Sequence, residues 1–196
     1  LVNNAGIAPM ARIEDADDAN LDALWAVNVK APMRMIRLAL PYLRRGGNGR
    51  IINVSSLSGK RVRNENAGYA MSKFALMALT HAARQLAWDD GVRVTAVCPS
   101  FVATDLTAGV TKVSRSEMID PADLAEVVAM AIALPNTAAI AELLGALQRQ
   151  RPRAHRLVTP GGQGQGVEVV VQVSHELRQG VDGRFLDVVV AVAHHL

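Results

Sequence analysis

The chain has 196 residues, of which 50% are hydrophobic, and this length and composition suit one globular domain with a sizeable core and argue against overall disorder. The longest apolar runs, such as residues 127–135, are shorter than the roughly 18 residues that indicate a membrane span. The net charge is +3, there is one cysteine, and neither a Cys/His ligand cluster nor an interleaving of aromatic and basic residues is present. The sequence therefore predicts a cytoplasmic protein with no metal, no nucleic acid and no membrane among its partners.

Hydrophobic periodicity switches repeatedly between helix-like and strand-like segments along the chain. Residues 21–43 predict one long helix, interrupted near Pro32 and ended by the glycine-rich segment 46–49. Residues 51–56 then predict a buried strand, and residues 67–88 predict a helix. This alternation is typical of an α/β fold with a parallel sheet, in which ligands bind at the carboxyl ends of the strands.

Tyr69 and Lys73 lie four residues apart and therefore share one face of the predicted helix. A phenol ionises near pH 10, so it is a poor acid or base at neutral pH unless a neighbouring ammonium favours its phenolate form. Lys73 supplies such a charge, and Ser56, at the end of the preceding strand, places a hydroxyl at the carboxyl edge of the sheet. Taken alone, a Tyr-x-x-x-Lys pair is more often a surface aromatic beside a solvated lysine.

Together, these segments resemble the short-chain dehydrogenase/reductase family over residues 1–147. The resemblance rests on Leu1-Val2-Asn3-Asn4-Ala5-Gly6, on Asn28 within its helix, on the run from Gly49 to Gly59, on Tyr69-Ala70-Met71-Ser72-Lys73, and on the run from Arg93 to Thr104. It implies an α/β fold with a doubly wound parallel sheet (Rossmann-like) that this chain enters at the fourth strand. The chain would thus be missing its first β-α-β-α-β part, which in the family carries the phosphate-binding glycine turn.

The same resemblance implies roles for individual residues. Tyr69 would exchange a proton with the substrate oxygen, while Lys73 would lower the tyrosine pKa and hold the nicotinamide ribose. Ser56 would bind the substrate oxygen, with Ser55 as the alternative whose spacing fits less well. Asn28 would position a water that links the lysine to solvent. The expected catalytic set is Asn28, Ser56, Tyr69 and Lys73, and the expected cofactor-binding set is Asn4, Ala5, Gly6, Tyr69, Lys73, Val102 and Thr104.

The implied cofactor is NAD or NADP, and the choice stays open because the strand that discriminates them in the family precedes Leu1. The segment 93–104 departs twice from the family pattern, with Cys98 where Asn is usual and Ser100 where Gly is usual. Because glycine lets a backbone approach a ligand closely, Ser100 is expected to tighten the loop that meets the nicotinamide. Cys98 falls in a predicted strand, which favours a buried small hydrophobe over a reactive thiol.

Three further segments bear on substrate and assembly. Residues 107–120 would cover the substrate in the family, and their composition names no particular substrate. Pro121, with Asp120 as its cap, predicts the start of another helix. Residues 74–79 are small and apolar all round, which is typical of a helix buried against the sheet and a second subunit, so the resemblance implies a homo-oligomer.

Beyond residue 147 the resemblance ends, which divides the chain into a partial catalytic core (1–147) and an unassigned tail (148–196). Three interpretations of the tail stay open: a phosphate-binding turn at 157–166 carried to the end of a rearranged chain, a glycine turn between two strands, and a fused or out-of-frame end. Pro160 and the β-branched stretch 167–173 argue against the first. Exposed terminal side chains, rather than metal ligands, are predicted for His175, His194 and His195.

The function implied by the resemblance is hydride transfer between NAD(P) and a ketone or aldehyde or a secondary alcohol, with a small-molecule carbonyl or alcohol as substrate. The alternative is an inactive fragment or pseudo-enzyme that cannot bind dinucleotide and has at most a subunit-pairing role. A second rival, an epimerase or dehydratase acting on a nucleotide sugar, would need a larger carboxyl-terminal substrate domain than the tail provides.

Overall fold

The computed structural model describes residues 1–145 and two further strand segments, 169–172 and 189–191. Six strands form one sheet, in which the spatial order is the order along the chain. They are β1 (Val2–Asn3), β2 (Arg50–Val54), β3 (Arg93–Pro99), β4 (Glu142–Gly145), β5 (Val169–Gln172) and β6 (Val189–Ala191). Strands β1 to β4 are parallel, which agrees with the predicted fold class, whereas β5 and β6 are antiparallel to their neighbours.

In the described part of the chain, four α-helices connect the parallel strands and cover both faces of the sheet. They are α1 (Asp18–Trp25), α2 (Ala31–Gly46), α3 (Ala67–Ala87) and α4 (Pro121–Ala133). Ile36 of α2 and Ala83 of α3 pack with Ile51 on one face of the sheet. The next residue of the strand, Ile52, points to the other face and packs with Ala131 of α4. Since successive strand residues alternate between faces, β2 is apolar on both sides, as a buried parallel strand must be.

The helical region before β2 is longer than predicted, and its interruption near Pro32 is confirmed. A π-helical turn, Ala26–Lys30, separates α1 from α2 and ends just before the proline. The proline itself lies in the first turn of α2, where its missing N–H is not required. Gly47, with φ of 66°, ends α2 as the glycine-rich segment predicted.

Helix α3 confirms the predicted helix over residues 67–88, but it is not buried all round. Leu76 and Met77 are buried against the sheet, whereas Phe74 and Ala78 are exposed. The apolar run 74–79 therefore follows the ordinary helical alternation between a buried and a solvent-facing side. Helix α4 begins at Pro121 as predicted, and the Asp120 side chain accepts a hydrogen bond from the Ala122 amide.

The amino-terminal end of the sheet is held by an arginine junction centred on Arg50. Its guanidinium donates to the carbonyl oxygen of Leu134, at the end of α4, and to the side-chain oxygen of Asn136, at 2.6 Å and 2.8 Å. Asn136 in turn donates to the carbonyl of Gly47, just after α2. Carbonyl groups at helix ends lack intrahelical partners, so this junction satisfies the ends of two helices at once.

The described part of the tail consists of β5 and β6. Because residues 169–172 form the strand β5, they do not belong to the helix that a phosphate-binding turn would require, so that interpretation is not supported. The turn at 157–166 and the three tail histidines lie outside the described residues. Within the described residues, no helix combines the length and the apolar character needed to cross a bilayer.

Candidate active site

Ser56, Tyr69 and Lys73 meet at the carboxyl edge of the parallel sheet, beyond the end of β2. Lys73 is buried on α3, and its ammonium donates a 3.0 Å hydrogen bond to the carbonyl oxygen of Val54, the last residue of β2. The same nitrogen lies 5.6 Å from the centre of the Tyr69 ring. The spacing of four residues on one helix thus brings the phenol and the ammonium together as predicted.

Burial governs the ionisation of Lys73. It lowers the pKa of the ammonium to about 8. Desolvation disfavours the charged form of a base, so this direction is expected for a lysine enclosed against a sheet. The lysine therefore changes its charge much closer to neutral pH than a solvated lysine does.

The pKa of Tyr69 moves in the direction opposite to our expectation. Burial raises it above its ordinary value, and a hydrogen bond with the side chain of Ser56 lowers it by a smaller amount. The prediction that Lys73 lowers this pKa is therefore wrong for the chain as it stands, because the cost of desolvating a phenolate exceeds the other contributions. At neutral pH the phenol is protonated and can donate its proton.

The two serines after β2 have different surroundings. Ser55 is buried, and its hydroxyl donates to the carbonyl oxygen of Lys73 at 3.2 Å. Ser56 begins a short helical turn, Leu57–Gly59, which we call the serine turn, and its hydroxyl oxygen accepts from the Ser58 amide at 3.1 Å. Of the two serines, only Ser56 has a side chain that acts on the Tyr69 phenol, whose pKa it lowers. Of the two candidates, Ser56 is thus the one that shares a site with the phenol.

Asn28 lies in the π-helical turn and is fully enclosed. Its amide nitrogen donates to Ser72, at 3.0 Å, and to the carbonyl of Ile7, while its oxygen accepts from the Ile7 amide, both at 2.9 Å. Ser72 donates to the carbonyl of Tyr69. The Asn28 side chain therefore joins the segment after β1 to the active-site helix, and the water-positioning role remains a prediction.

The predicted cofactor residues after β1 lie at the same edge of the sheet. Asn4 and Ala5 are exposed and line a cleft of about 180 Å³ together with Val27, Ala31 and Pro32. Gly6 lies deeper, since a Cβ atom there would lie 3.4 Å from the Asn28 oxygen and 3.6 Å from the Lys73 nitrogen. Its missing side chain leaves a methyl-sized space beside the ammonium.

Val102 and Thr104 lie in the loop after β3, and side chains that follow in the chain hydrogen-bond the backbone of this loop. The hydroxyl of Thr107 donates to the carbonyls of Val102 and Thr104, and Arg115 donates to the carbonyls of Ala103 and Thr104. The amide of Ser100 donates to the Gly145 carbonyl at 2.8 Å, so the sheet ladder continues through the position where the family has glycine. These contacts fix the loop without involving Tyr69.

Cys98 is completely buried in β3, as its sequence context predicted. Its sulfur lies 3.5 Å from that of Met77, and burial, followed by the charge of Glu142, raises the thiol pKa to about 12. The thiol is therefore protonated at neutral pH and unreactive.

A chain of polar side chains inside the sheet was not predicted. Asn3 donates to the oxygen of Asn53 at 2.8 Å, and Asn53 donates to Thr80 of α3 at 2.9 Å. This chain ties β1 and β2 to the helix that carries Tyr69. The signal in the sequence was an asparagine inside an apolar strand, because a buried amide has to find partners.

The buried Lys73 predicts a specific pH dependence of stability. The unfolded chain keeps this proton until about pH 10.4, whereas the folded chain releases it near pH 8. Between these values the unfolded state binds more protons, so the free energy of unfolding should rise with pH by up to about 1.4 kcal/mol per pH unit. Urea denaturation of the wild type and of Lys73→Met across this range measures the difference. Parallel curves for the two proteins would contradict the assignment, and Lys30→Met, which removes an exposed lysine, is the control.

The parallel sheet with helices on both faces is a Rossmann-like fold, and comparison with known proteins specifies the family. The chain belongs to the short-chain dehydrogenase family, whose model matches residues 1–114. Agropine synthesis reductase of Rhizobium rhizogenes is 44% identical over 139 residues, which cover 70% of this chain and 32% of that protein. The chain thus spans about a third of the length of the agropine synthesis reductases that it matches.

Two solved structures share the fold, and the chain covers a larger part of each of them than of the agropine synthesis reductases. The 3-ketoacyl-(acyl-carrier-protein) reductase from Brucella melitensis, complexed with NADH, is 27% identical with a TM-score of 0.67, covering 73% of this chain and 63% of that one. An alcohol dehydrogenase from Thermococcus sibiricus, complexed with 5-hydroxy-NADP, is 25% identical with a TM-score of 0.69, covering 78% and 64% of the two chains.

Proposed function

We propose that this chain carries the catalytic part of an NAD(P)-linked oxidoreductase that interconverts a ketone or aldehyde with the corresponding alcohol. The observation that carries the proposal is the meeting of Ser56, Tyr69 and Lys73 at the carboxyl edge of the sheet. Family membership supports it, as do the names of the relatives, which include reductases and an alcohol dehydrogenase.

In the proposed reaction, Tyr69 is the acid in reduction and the base in oxidation. Its raised pKa suits the reductive direction, because the protonated phenol can donate to a carbonyl oxygen as that oxygen gains negative charge. The hydroxyl of Ser56 binds the same oxygen and orients it toward the phenol. The proton thus enters the product at the oxygen, through a group that is already hydrogen-bonded within the site.

The residues present fit the nicotinamide-ribose end of a dinucleotide. An ammonium has three hydrogens to donate, and the Val54 carbonyl takes one of those of Lys73, so the others suit ribose hydroxyls. Gly6 leaves room beside that ammonium. Asn4 and Ala5 would face the adenosine side, and Val102 and Thr104 the carboxamide and the pyrophosphate. When bound, the cofactor would supply or accept the hydride.

Asn28 has a supporting part in this proposal. Its amide holds Ile7 and Ser72, and through Ser72 it meets the carbonyl of Tyr69, so it keeps the segment after β1 in register with the active-site helix. The proposed water that passes protons from Lys73 to solvent would lie beside this residue. Loss of the asparagine should therefore slow proton exchange without changing which atom receives the proton.

The experiment that tests the proposal is a fluorescence titration of the chain with NADH and with NADPH, followed by assays on a panel of ketones and aldehydes. Saturable binding by the wild type and its loss in Lys73→Met are expected, since the lysine would hold the ribose. Lys30→Met is the matched control and should bind as the wild type does. Absence of saturable binding by the wild type would contradict the proposal for this chain and favour the fragment that cannot bind dinucleotide.

A subunit-pairing role is the second candidate, and one observation favours it. Met71 and Phe74 of α3 are exposed on the solvent-facing side of the helix, where large apolar side chains are costly to leave in water. Sedimentation velocity of the chain distinguishes a monomer from a homo-oligomer. This role is compatible with catalysis and becomes the main one only if dinucleotide does not bind.

A further inference from the structure

A buried carboxylate behind the serine turn is not used in the proposed reaction. Glu142 of β4 is 6% exposed, and its side chain lies on the face of the sheet that α3 covers. One oxygen lies 2.7 Å from the ammonium of Lys60, and the other lies 3.3 Å from Nε2 of His81 on α3. A buried carboxylate is costly unless it is paired, so this pair of contacts must be maintained in the folded chain.

The tautomer of His81 follows from its contact with Arg84. Nη2 of Arg84 lies 3.1 Å from Nδ1 of the imidazole, and a guanidinium can only donate, so Nδ1 accepts. The remaining ring proton then sits on Nε2 and faces Glu142. Arg84 is 8% exposed, and its Nη1 has no hydrogen-bond partner among the described residues. The network is therefore directional, running from Arg84 through His81 to the carboxylate.

Lys60 links this network to the active site, because it directly follows the serine turn. Gly59 packs against α3 so closely that a Cβ atom there would lie 2.7 Å from the carbonyl oxygen of Lys73. Ser56 caps the start of the turn, and its side chain is close enough to the Tyr69 phenol to lower the phenol pKa. Because only the three residues of the turn separate Ser56 from Lys60, the Lys60–Glu142 pair restrains the position of the Ser56 hydroxyl.

We propose that Glu142 is a positioning residue for the active site: through Lys60 and His81 it clamps the serine turn to α3 and so places the Ser56 hydroxyl on Tyr69. The inference deepens the proposed function and rests on it. Glu142 lies outside residues 1–114, which the family model matches, and outside the expected site residues. The clamp is assembled from three separate elements, the serine turn, α3 and β4.

The test observes the proposed hydrogen bond between Ser56 and Tyr69 directly. The chain has two tyrosines, so Tyr42→Phe, which replaces an exposed ring, leaves Tyr69 as the only tyrosine. In that background, the ¹³Cζ resonance of labelled tyrosine reports hydrogen bonding of the phenol at neutral pH. Ser56→Ala defines the resonance position of the broken bond. Glu142→Gln and Lys60→Met should both shift the resonance toward that position, whereas Lys60→Arg and the surface variant Glu126→Gln should not.

Lys60→Met keeps the proposal falsifiable if Glu142→Gln fails to fold, since Lys60 is partly exposed at the end of the turn. A folded Lys60→Met or Glu142→Gln whose Tyr69 resonance matches that of the parent would overturn the clamp. This readout requires neither cofactor nor turnover, so it is independent of whether the proposed function holds. Where turnover is measurable, we expect kcat of Glu142→Gln to fall about 10-fold while dinucleotide affinity stays unchanged. The reason is that Glu142 acts only on the placement of Ser56 relative to Tyr69, the proposed acid and base.

Discussion

Replacing Tyr69 with Phe is expected to lower kcat for carbonyl reduction by about 10³-fold, because the phenol hydroxyl is the proposed proton donor and general acid catalysis typically contributes 10²–10⁴-fold. Phe keeps the ring that lies beside Lys73 and removes only the phenol oxygen, the group whose pKa the Ser56 side chain lowers. Dinucleotide affinity should therefore be retained. Steady-state kinetics with a ketone accepted by the wild type, together with a fluorescence titration of the cofactor, separates the two quantities.

Tyr42→Phe is the matched control, because it makes the same change at a ring that is 69% exposed and lies over Arg45 on α2. It should leave both kcat and affinity unchanged. A Tyr69→Phe protein with wild-type turnover would remove Tyr69 from the reaction and leave the proposed mechanism without its acid. A variant that loses turnover and cofactor binding together would show that the hydroxyl contributes to holding the dinucleotide as well.

Replacing Gly59 with Ala is expected to destabilise the chain by about 1–3 kcal/mol, the usual range for inserting atoms into a packed site. The added Cβ would lie 2.7 Å from the carbonyl oxygen of Lys73 and 2.7 Å from the Ser55 hydroxyl, and the first of these is backbone that cannot rotate away. The serine turn must then lift from α3, which separates Ser56 from Tyr69. Urea denaturation measures the loss of stability, and the Tyr69 resonance measures the separation.

Gly109→Ala is the control for this change, since an added Cβ there has no atom within 4 Å. It should leave stability and turnover close to those of the parent. Equal stability of the Gly59 and Gly109 variants would mean that the serine turn can move away from α3 without cost. In that case the contact between Gly59 and Lys73 could not be what fixes the position of Ser56.

The helices of this chain and their ends could be predicted because the sequence patterns that specify them involve neighbouring residues. The periodicity of 67–88, the cap at Asp120 and the stop at Gly47 each depend on residues within a few positions of one another, and all three are found where expected. The same holds for the Tyr69–Lys73 pair, because a spacing of four on a helix fixes a shared face. Ser56 could be placed at the edge of the sheet from the predicted strand that it ends, whereas Asn28 was added by the family resemblance because it has no local pattern of its own.

What could not be predicted depends on contacts between distant parts of the chain. Lys60 and Glu142 are 82 residues apart, and neither lies in a pattern that indicates its partner. The direction of the Tyr69 pKa shift required knowledge of how far the phenol is buried, since burial raises this pKa by more than the Ser56 side chain lowers it. The π-helical turn at Asn28 likewise depends on the tertiary partners of that amide, Ile7 and Ser72.

The arginine junction at the amino-terminal end of the sheet implies a resistance to acid. Arg50 donates to amide carbonyl oxygens, which do not take up a proton as the solution becomes acidic. Acidification should therefore leave the ends of α2 and α4 fastened to the first residue of β2, so that this end of the scaffold keeps its arrangement in mildly acidic solution.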